Sequence, residues 1–557
     1  MRGPRCAVLM LVAPLLLGCG RRADLVITGG MVWTGLSTGR AQPGAVAVAN
    51  GRILAVGDSA EIARFVGPRT AILRAAGGLV MPGFADGHTH FIDGGFQLAA
   101  VNLRDAATPA EFIRRLKERA AGLKPGEWIT GGDWDHELWR GTPPPLPRRD
   151  WIDSVTPHNP VFVNRLDGHM ALANTAAIRA AGVTAGTVTP SGGEIVRDPA
   201  TGEPLGIFKD QAMALIGRAA PEPSPEQRDS ALARALAHAA SLGVTATAHM
   251  SASWADLAAY RRLQEAGRLT LRVAVYLPLD QWRAVAESVA RTGQGDDWVR
   301  LGGVKGYVDG SAGSRTALFF EPFSDSAGYA GLMQHSDAEL RAWIGGADSA
   351  GLQVAVHAIG DRANALLLVI FDSVARAHGA RDRRFRVEHA QHLRTREIPR
   401  FGARRVVPSM QPYHAIDDGR WLAKRIGPVR IRTTYAFRWL IASDAPLAFG
   451  SDWSVAPLDP LLGVYAAVTR RTLDGRHPGG WVPDQKISVG EVLRAYTYGN
   501  AWATFMEQKW GALVAGRYAD VVVLDRDLFA VPPESIDKVK ARYTLVGGRL
   551  VYGQPSP

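Results

Sequence analysis

The stretch MPGFADGHTH, residues 81–90, decides the fold because it carries an apolar run directly into two histidines. The run Leu79–Phe84 predicts a strand, and alternate residues of a strand point to the same face. His88 and His90 would therefore turn both imidazoles to one side, where they can hold one metal ion. Chance His-X-His pairs are common, so this prediction depends on further ligands downstream.

Apolar, β-branched runs alternate with helical patterns through the middle of the chain, an order typical of a parallel barrel. We therefore predict an α/β fold with a (β/α)8 TIM-like barrel over residues 79–514. The eight predicted strands are Leu79–Gly87, Val244–His249, Leu271–Leu277, Gly302–Val308, Leu352–His357, Phe385–His389, Arg405–Met410 and Pro446–Ser451.

The two ends of the chain show short strands separated by glycine-containing turns such as Gly29-Gly30 and Asn50-Gly51. Residues 24–78 and 515–555 predict one small β-sandwich built from both termini. Residues 91–240 are too long for a single strand-to-helix connection and contain strand patterns of their own. They predict an inserted α/β subdomain that covers the mouth of the active site.

The first 18 residues predict a lipoprotein signal peptide. Arg2 and Arg5 form a basic start, and the apolar stretch 7–17 is too short to span a membrane. The end of this stretch resembles a lipobox with Cys19 as the lipidated residue. We expect an exported protein, lipid-anchored to the bacterial cell envelope at its periplasmic or outer-membrane face. The alternatives are an ordinary secretory signal and an uncleaved anchor.

The composition fits a globular protein with a large core and limits the partners. The chain has 557 residues, of which 46% are hydrophobic and 21% are charged. Its two cysteines, Cys6 and Cys19, both fall in the signal region, so the mature body has no thiol to offer a metal. The formal charge of +11 is spread over arginines without a nucleic-acid-binding motif. We expect a small-molecule substrate, no nucleic acid, and membrane contact through the lipid anchor only; a homodimer is left open.

Five further candidate metal ligands follow the histidine pair, most of them at the ends of predicted strands, where catalytic groups of such barrels lie. They are Lys305, His357, His389, His392 and Asp452. One of the five is expected not to bind the metal. His389 directly follows its apolar run, whereas His392 lies beyond the strand end, which favours His389 as the ligand.

Lys305 is unusual because it lies inside an apolar strand, where burial disfavours the ammonium form. A neutral amine can take up CO2 and become an anionic carbamate that bridges two metal ions. An ion pair with Asp309 or an outward-turned side chain is the ordinary alternative for the residue alone. Within this set of imidazoles and carboxylates, which suits Zn²⁺, the carbamate is favoured.

These residues together resemble the amidohydrolase superfamily, and most closely the amidohydrolase family 3 group that includes N-substituted formamide deformylase. The resemblance covers about residues 24–555. It rests on the strings HTH at 88–90, RLDGH at 165–169, VK at 304–305, DGS at 309–311, HAIGDRA at 357–363, VEHA at 387–390 and GSD at 450–452.

The resemblance implies a barrel with a two-part β-sandwich and a centre of one or two divalent ions. The first ion would be held by His88, His90 and Asp452, and carbamylated Lys305 would bridge it to a second ion on His357 and His389. Asp452 and His389 would be catalytic, with Asp452 accepting the proton of the attacking water and returning it to the leaving group.

The residues expected to contact substrate lie mainly in the inserted segment. Asp167 and His169 are expected there by resemblance, with bracing of the loop as the alternative. Arg165, Trp134 and Arg315 are further candidates, and Trp134 can equally pack the subdomain.

We expect a hydrolase that acts on C–N bonds of amide, N-acyl or N-formyl compounds. An esterase, a lactonase or a cyclic-amide hydrolase with the same site is the nearer alternative. A surface lipoprotein that binds small molecules without turnover is the more distant one, and the complete set of ligands argues against it.

Overall fold

The computed structural model describes residues 22–140 and 144–554, so the proposed signal peptide and Cys19 lie outside the described residues. The strands are β1 (Leu25–Val32), β2 (Gln42–Ala49), β3 (Arg52–Gly57), β4 (Ala71–Arg74), β5 (Leu79–Pro82), β6 (Phe84–Thr89), β7 (Ile129–Trp134), β8 (Val161–Arg165), β9 (Met170–Ala173), β10 (Gly193–Arg197), β11 (Pro204–Asp210), β12 (Val244–His249), β13 (Arg272–Pro278), β14 (Val299–Tyr307), β15 (Gln353–Ala358), β16 (Arg386–His389), β17 (Val407–Met410), β18 (Ala448–Phe449), β19 (Val521–Leu524), β20 (Ala541–Val546) and β21 (Arg549–Tyr552).

The α-helices connect and cover these strands. They are α1 (Ser59–Ala63), α2 (Phe91–Gln97), α3 (Pro109–Ala121), α4 (Arg149–Ile152), α5 (Thr175–Ala180), α6 (Met213–Gly217), α7 (Pro225–Ser241), α8 (Trp254–Glu265), α9 (Trp282–Thr292), α10 (Asp337–Ser349), α11 (Asp361–Ala377), α12 (Ile398–Arg404), α13 (Pro412–Asp418), α14 (Leu422–Arg430), α15 (Phe437–Ala442), α16 (Pro460–Thr469), α17 (Val489–Arg494) and α18 (Asn500–Ala503). Over residues 22–140 and 144–554, no helix combines the length and apolar character needed to cross a membrane.

Eight parallel strands form the barrel in the order β6, β12, β13, β14, β15, β16, β17 and β18. The first and last strands meet where Thr89 and Trp453 form a parallel bridge. Next to this bridge, the backbone N–H of Asp452 donates to the carbonyl oxygen of His88 over 2.7 Å. The predicted TIM-like barrel is confirmed, and its closure places the ends of β6 and β18 side by side.

The first predicted barrel strand, 79–87, is divided between two sheets. Leu79–Pro82 forms β5 of the terminal sheet, and the barrel strand begins only at Phe84. Gly83 lies at the junction, where a Cβ atom would approach the side chain of Thr245 to 2.3 Å. The apolar pattern runs through the junction because both segments are buried, so the sequence did not reveal the division.

Strands from both ends of the chain form one eight-stranded sheet, joined where β5 pairs antiparallel with β19. Asn50-Gly51 makes the predicted hairpin turn between β2 and β3, with φ of +50° and +73°. Gly29-Gly30, predicted as a turn, instead lies inside β1 at a break in register. The buried pair of Arg272 and Asp520, at 2.6 Å, attaches this sheet to the barrel.

The segment between α2 and α7 forms a five-stranded sheet in the order β10, β11, β9, β8 and β7, with α3 to α6 beside it. It has apolar clusters of its own, built around residues such as Phe112 and Phe208. The end of β8 and the loop after it carry Arg165, Asp167 and His169 to the cleft at the barrel mouth.

Candidate metal centre

One cleft of about 380 Å³ at the barrel mouth is lined by all six predicted metal ligands. His88 lies on β6 and His90 directly follows it, while Lys305, His357 and His389 lie on β14, β15 and β16, and Asp452 follows β18. The carboxyl ends of parallel strands meet at the same rim of a barrel, so ligands that are far apart in the sequence converge there.

Three of the six form a compact buried cluster. His88, His389 and Asp452 each offer a ligand atom, and these atoms lie within 4.8 Å of one another. Nε2 of His88 and Nε2 of His90 are each 3.4 Å from Oδ1 of Asp452. Within the described chain, Nε2 of His88 and Oδ1 of Asp452 are buried without a hydrogen-bond partner. Because buried polar atoms are normally paired, these free lone pairs fit a divalent ion.

The backbone at two of these ligands is held in the left-handed region. His389 has φ of +73° and Asp452 has φ of +61°. Non-glycine residues there carry strain of about 1–3 kcal/mol each and persist only where the surroundings fix them, often at functional sites. The Asp452 segment is fixed by Asp86, whose carboxylate accepts the backbone N–H groups of Ser451 and His88. Burial raises the pKa of Asp86 to about 7.

Neighbouring side chains orient the imidazoles. Nδ1 of His88 donates to the carboxylate of Glu388 over 2.7 Å, and Glu388 is held by Arg386 at the same distance. Nδ1 of His389 lies 2.9 Å from the amide oxygen of Gln411. A hydrogen bond at Nδ1 fixes the tautomer and leaves Nε2 with its lone pair, as is usual for metal-binding histidines.

Changing Glu388 to glutamine should weaken the binding of a divalent ion, with zinc as the probe, roughly 10–100-fold, because the charge that raises the basicity of His88 is lost. Competition with a chromophoric chelator measures the affinity. Glu397→Gln is the matched control, since Glu397 is a buried carboxylate paired with Arg394 at 2.8 Å and is not among the residues lining the cleft. Equal zinc affinity in wild type and Glu388→Gln would contradict the orienting role.

The electrostatics of the cleft favour the ligand form of His88, His389 and Asp452. Burial, with the nearby positive charge of Lys305, holds the pKa of His88 and of His389 well below its usual value. Burial also acts on Asp452, yet His88 and His90 hold the pKa of that carboxyl well below its usual range. Neutral imidazoles and an ionised carboxylate are the protonation states that bind a divalent cation.

Lys305 is only 1% exposed, and its Nζ has no hydrogen-bond partner in the described part of the chain. The Nζ atom lies 4.3 Å from the ring centroid of Tyr307. Asp309, the ordinary ion-pair candidate, instead accepts backbone N–H groups of Leu318, Ile359 and Gly360. The alternative considered from the sequence, an ion pair between Lys305 and Asp309, is therefore absent from the described contacts of Lys305. The amine instead lines the same cleft as the other ligands.

His392 lies away from this cluster. Its Nδ1 is 2.8 Å from the hydroxyl oxygen of Thr434, and its ring packs against Phe319. Burial lowers its pKa to about 3. The structure thus places His389, and not His392, beside His88 and Asp452.

The stability of the metal-free protein should reflect the neutral state of His392. Below pH 6.5 an unfolded chain binds a proton at this residue that the folded chain excludes, so the stabilisation falls as pH falls. The advantage of wild type over His392→Asn in free energy of unfolding should shrink by roughly 2 kcal/mol from pH 7 to pH 5. Denaturant unfolding at both pH values measures it, with the exposed His158→Asn as control. An unchanged difference would contradict the buried neutral state.

The predicted substrate residues of the loop after β8 line the cleft or the cavity of about 50 Å³ beside it. Nη1 of the buried Arg165 lies 2.6 Å from Oδ2 of Asp167. Asp167 also accepts the hydroxyl groups of Ser311 and Ser314 on the barrel. His169 lies 2.6 Å through Nδ1 from the carboxylate of Asp210.

Trp134 and Arg315 lie elsewhere and are not among the residues that line these two cavities. Trp134 is fully buried in the inserted subdomain, where its Nε1 donates to the carbonyl oxygen of Val163 over 2.9 Å. Arg315 pairs with Asp325 at 3.1 Å. The aromatic side chain packs the subdomain core, and the guanidinium is engaged by a carboxylate outside the cleft.

Sequence reasoning missed the residues that orient the ligands. Glu388 carried a signal, since an acidic residue inside an apolar strand needs a buried partner. Gln411 and Asp210 carried none, because their partners are 22 and 41 residues away and follow from the fold. His414 is also a candidate for polar contacts from the sequence, and the structure places it in the lining of the smaller cavity, with its ring 6.4 Å from that of His389 and nearly parallel to it.

The protein combines a TIM-like barrel with a buried His-His-Asp cluster at the strand ends. This combination places it in the class of metal-dependent hydrolases. Comparison with known proteins identifies the family. The model of the amidohydrolase family (Amidohydro_3) matches residues 72–552, and the chain belongs to this family.

Individual relatives match along nearly the whole chain. Protein LONG AFTER FAR-RED 3 of Arabidopsis thaliana is 38% identical over 95% of this chain and 92% of its own. N-substituted formamide deformylase of Arthrobacter pascens is 27% identical over 91% of this chain and 94% of its own. The solved structure of an uncharacterized metal-dependent hydrolase from Pyrococcus horikoshii OT3 superposes with a TM-score of 0.72 at 29% identity, over 91% of this chain and 99% of that one.

Proposed function

We propose that the protein hydrolyses C–N bonds of linear amide, N-acyl or N-formyl compounds with the help of zinc. The observation that carries the proposal is the buried cluster of His88, His389 and Asp452, whose ligand atoms converge within 4.8 Å. Similarity to N-substituted formamide deformylase supports a C–N bond as the target. The cleft of about 380 Å³ has the size of a small-molecule site.

The residues that would hold one or two ions are His88, His90, Lys305, His357, His389 and Asp452. A bound divalent ion supplies polarisation of the scissile carbonyl and a lower pKa for water. The protein supplies the proton transfers. Because His88 and His90 keep Asp452 ionised, its carboxylate can accept the proton of the attacking water and deliver it to the leaving nitrogen.

Lys305 would enter this centre as a carbamate. Its amine nitrogen bonds to the carbon of CO2, one proton leaves, and the product is an anionic carboxylate at the end of the side chain. Two features favour the reaction: within the described residues the Nζ atom is buried without a hydrogen-bond partner, and burial keeps the nearby imidazoles of His357 and His389 neutral. The carbamate would supply the anionic bridge that a divalent pair needs.

Asp167 would orient the substrate, since Arg165 and two serine hydroxyls fix its carboxylate at the edge of both cavities. A fixed acceptor there would bind an N–H or O–H group of the substrate. The preorganised position limits the entropy that binding must overcome.

We further propose that the chain is exported and lipidated at Cys19, on the sequence pattern alone. Metabolic labelling with a palmitate analogue should mark the wild type and leave Cys19→Ser unlabelled. Label on the Cys19→Ser variant, or none on the wild type, would refute the anchor.

A hydrolysis panel tests the function. Zinc-loaded protein should release amines from N-formyl and N-acyl amines faster than it hydrolyses esters or lactones of matched acyl groups. Faster ester or lactone hydrolysis would move the assignment to the nearer alternative. Binding of the compounds without any turnover would favour the non-catalytic lipoprotein.

A further inference from the structure

A fifth imidazole, that of His169, continues the row formed by the predicted ligands. The ring centroid of His389 is 4.9 Å from that of His88 and 4.5 Å from that of His357. His357 is in turn 4.9 Å from His169. The inserted subdomain thus adds one ring to the four that the barrel strands provide.

His169 is oriented in the same way as His88. Its Nδ1 lies 2.6 Å from a carboxylate oxygen of Asp210, as Nδ1 of His88 lies 2.7 Å from Glu388. The side chain of Asp210 is fully buried and is also held by Gln334, whose amide donates to it over 3.1 Å. A carboxylate at Nδ1 leaves Nε2 as the ligand atom, which is the usual arrangement for histidines on a metal.

His357 differs from His169 in the nitrogen that is available to a metal. Its Nε2 lies 3.1 Å from the carbonyl oxygen of Gly310. A carbonyl oxygen can only accept, so Nε2 carries the hydrogen and Nδ1 carries the lone pair. Among the described residues, each of the two neighbouring rings has a hydrogen-bond partner at one nitrogen only, which leaves the other nitrogen available to bind.

The spacing of the two rings suits a shared ion. With a metal–nitrogen distance of about 2.1 Å, each ring centroid lies about 3.2 Å from the ion, and a tetrahedral angle separates the centroids by about 5 Å. The observed separation of 4.9 Å agrees with this value. The separation of the ring centroids is therefore compatible with one shared cation.

The compact ligand cluster includes His389 with His88 and Asp452. The ring of His357 has that of His389 on one side and that of His169 on the other, so an ion on the side of His357 away from the cluster would be shared with His169. We propose that the second ion is held by Nδ1 of His357 and Nε2 of His169, with Lys305 as the third donor. This inference rests on the proposed metal-dependent function.

The consequence is structural as well as catalytic. His169 and Asp210 belong to the inserted subdomain, whereas His357 and Lys305 belong to the barrel. An ion between them would connect the two parts across the cleft. Metal binding should then slow backbone hydrogen exchange at β9 and the loop before it.

Metal content tests the proposal, with His414→Ala as the matched control because His414 also lines the cavity but has no carboxylate among its described hydrogen-bond partners. After zinc loading and desalting, wild type and His414→Ala should hold two ions per chain and His169→Ala one. Zinc should slow hydrogen exchange at β9 in wild type and in His414→Ala, and should leave it unchanged in His169→Ala. A circular dichroism spectrum equal to that of wild type shows that His169→Ala is folded.

Three results distinguish failure of the ligand role of His169, failure of the second site and failure of the proposed function. If His169→Ala still holds two ions, His169 is not a metal ligand. A change confined to the KM of that variant would then identify His169 as a substrate contact. One ion in active wild type would overturn the second site and leave the proposed hydrolysis intact. Wild type that holds no zinc and hydrolyses nothing would refute the proposed function, and the inference with it.

Discussion

Replacing Asp452 with asparagine should lower kcat by a factor of about 10²–10⁴, the usual contribution of a general acid–base residue. The amide keeps the shape of the side chain but cannot take the proton from the attacking water. Zinc should stay bound, because His88 and His389 lie within 4.8 Å of the replaced group and remain oriented by Glu388 and Gln411. Steady-state hydrolysis and the zinc content of the same sample measure both effects.

Asp459→Asn is the control for this variant. Asp459 caps α16 by accepting the backbone N–H of Leu461 over 3.0 Å, a position that asparagine also fills well. It is not among the residues that line the cleft. The control should keep wild-type turnover. Full activity in Asp452→Asn would remove Asp452 from the mechanism.

Changing Lys305 to methionine should give the second large effect, with the loss of one of two zinc ions and a fall in activity of at least about a hundredfold. Methionine fills similar volume in the apolar strand, so the fold should persist. It cannot form a carbamate, and the anionic group between the ions is lost. Metal analysis and hydrolysis of the same sample measure the change.

The carbamate has its own signature. Wild type incubated with ¹³C-bicarbonate and zinc should show a carbamate carbon signal in its NMR spectrum that Lys305→Met lacks. Lys209→Met is the matched control, since Lys209 is also buried but pairs with Glu194 at 2.8 Å. Two ions in Lys305→Met, or wild type without the ¹³C signal, would contradict the bridging role.

The barrel was predictable because its determinants are local. Buried parallel strands appear in the sequence as continuous apolar runs, and β12 matches its predicted range of Val244–His249. The candidate ligands follow such runs, as His389 and Asp452 do, and the barrel topology alone is enough to bring them to one rim.

The features that the sequence did not reveal depend on contacts between residues far apart in the chain. Glu388 and His88 are 300 residues apart, and only the closed barrel makes them neighbours. Trp134 and Arg315 have the chemistry of substrate contacts, but packing and an ion pair determine where their side chains lie. The division between β5 and β6 was hidden because both segments are buried and apolar.

The central claim is that hydrolysis depends on metal held by the His88, His389 and Asp452 cluster. The most direct measurement removes the metal with a chelator and follows hydrolysis of an N-formyl amine while zinc is added back. Activity should be absent at first and rise in proportion to bound zinc until the sites are filled, whereas Asp452→Asn should bind zinc and stay inactive. Hydrolysis by the metal-free protein at the rate of the zinc-loaded protein would contradict the account.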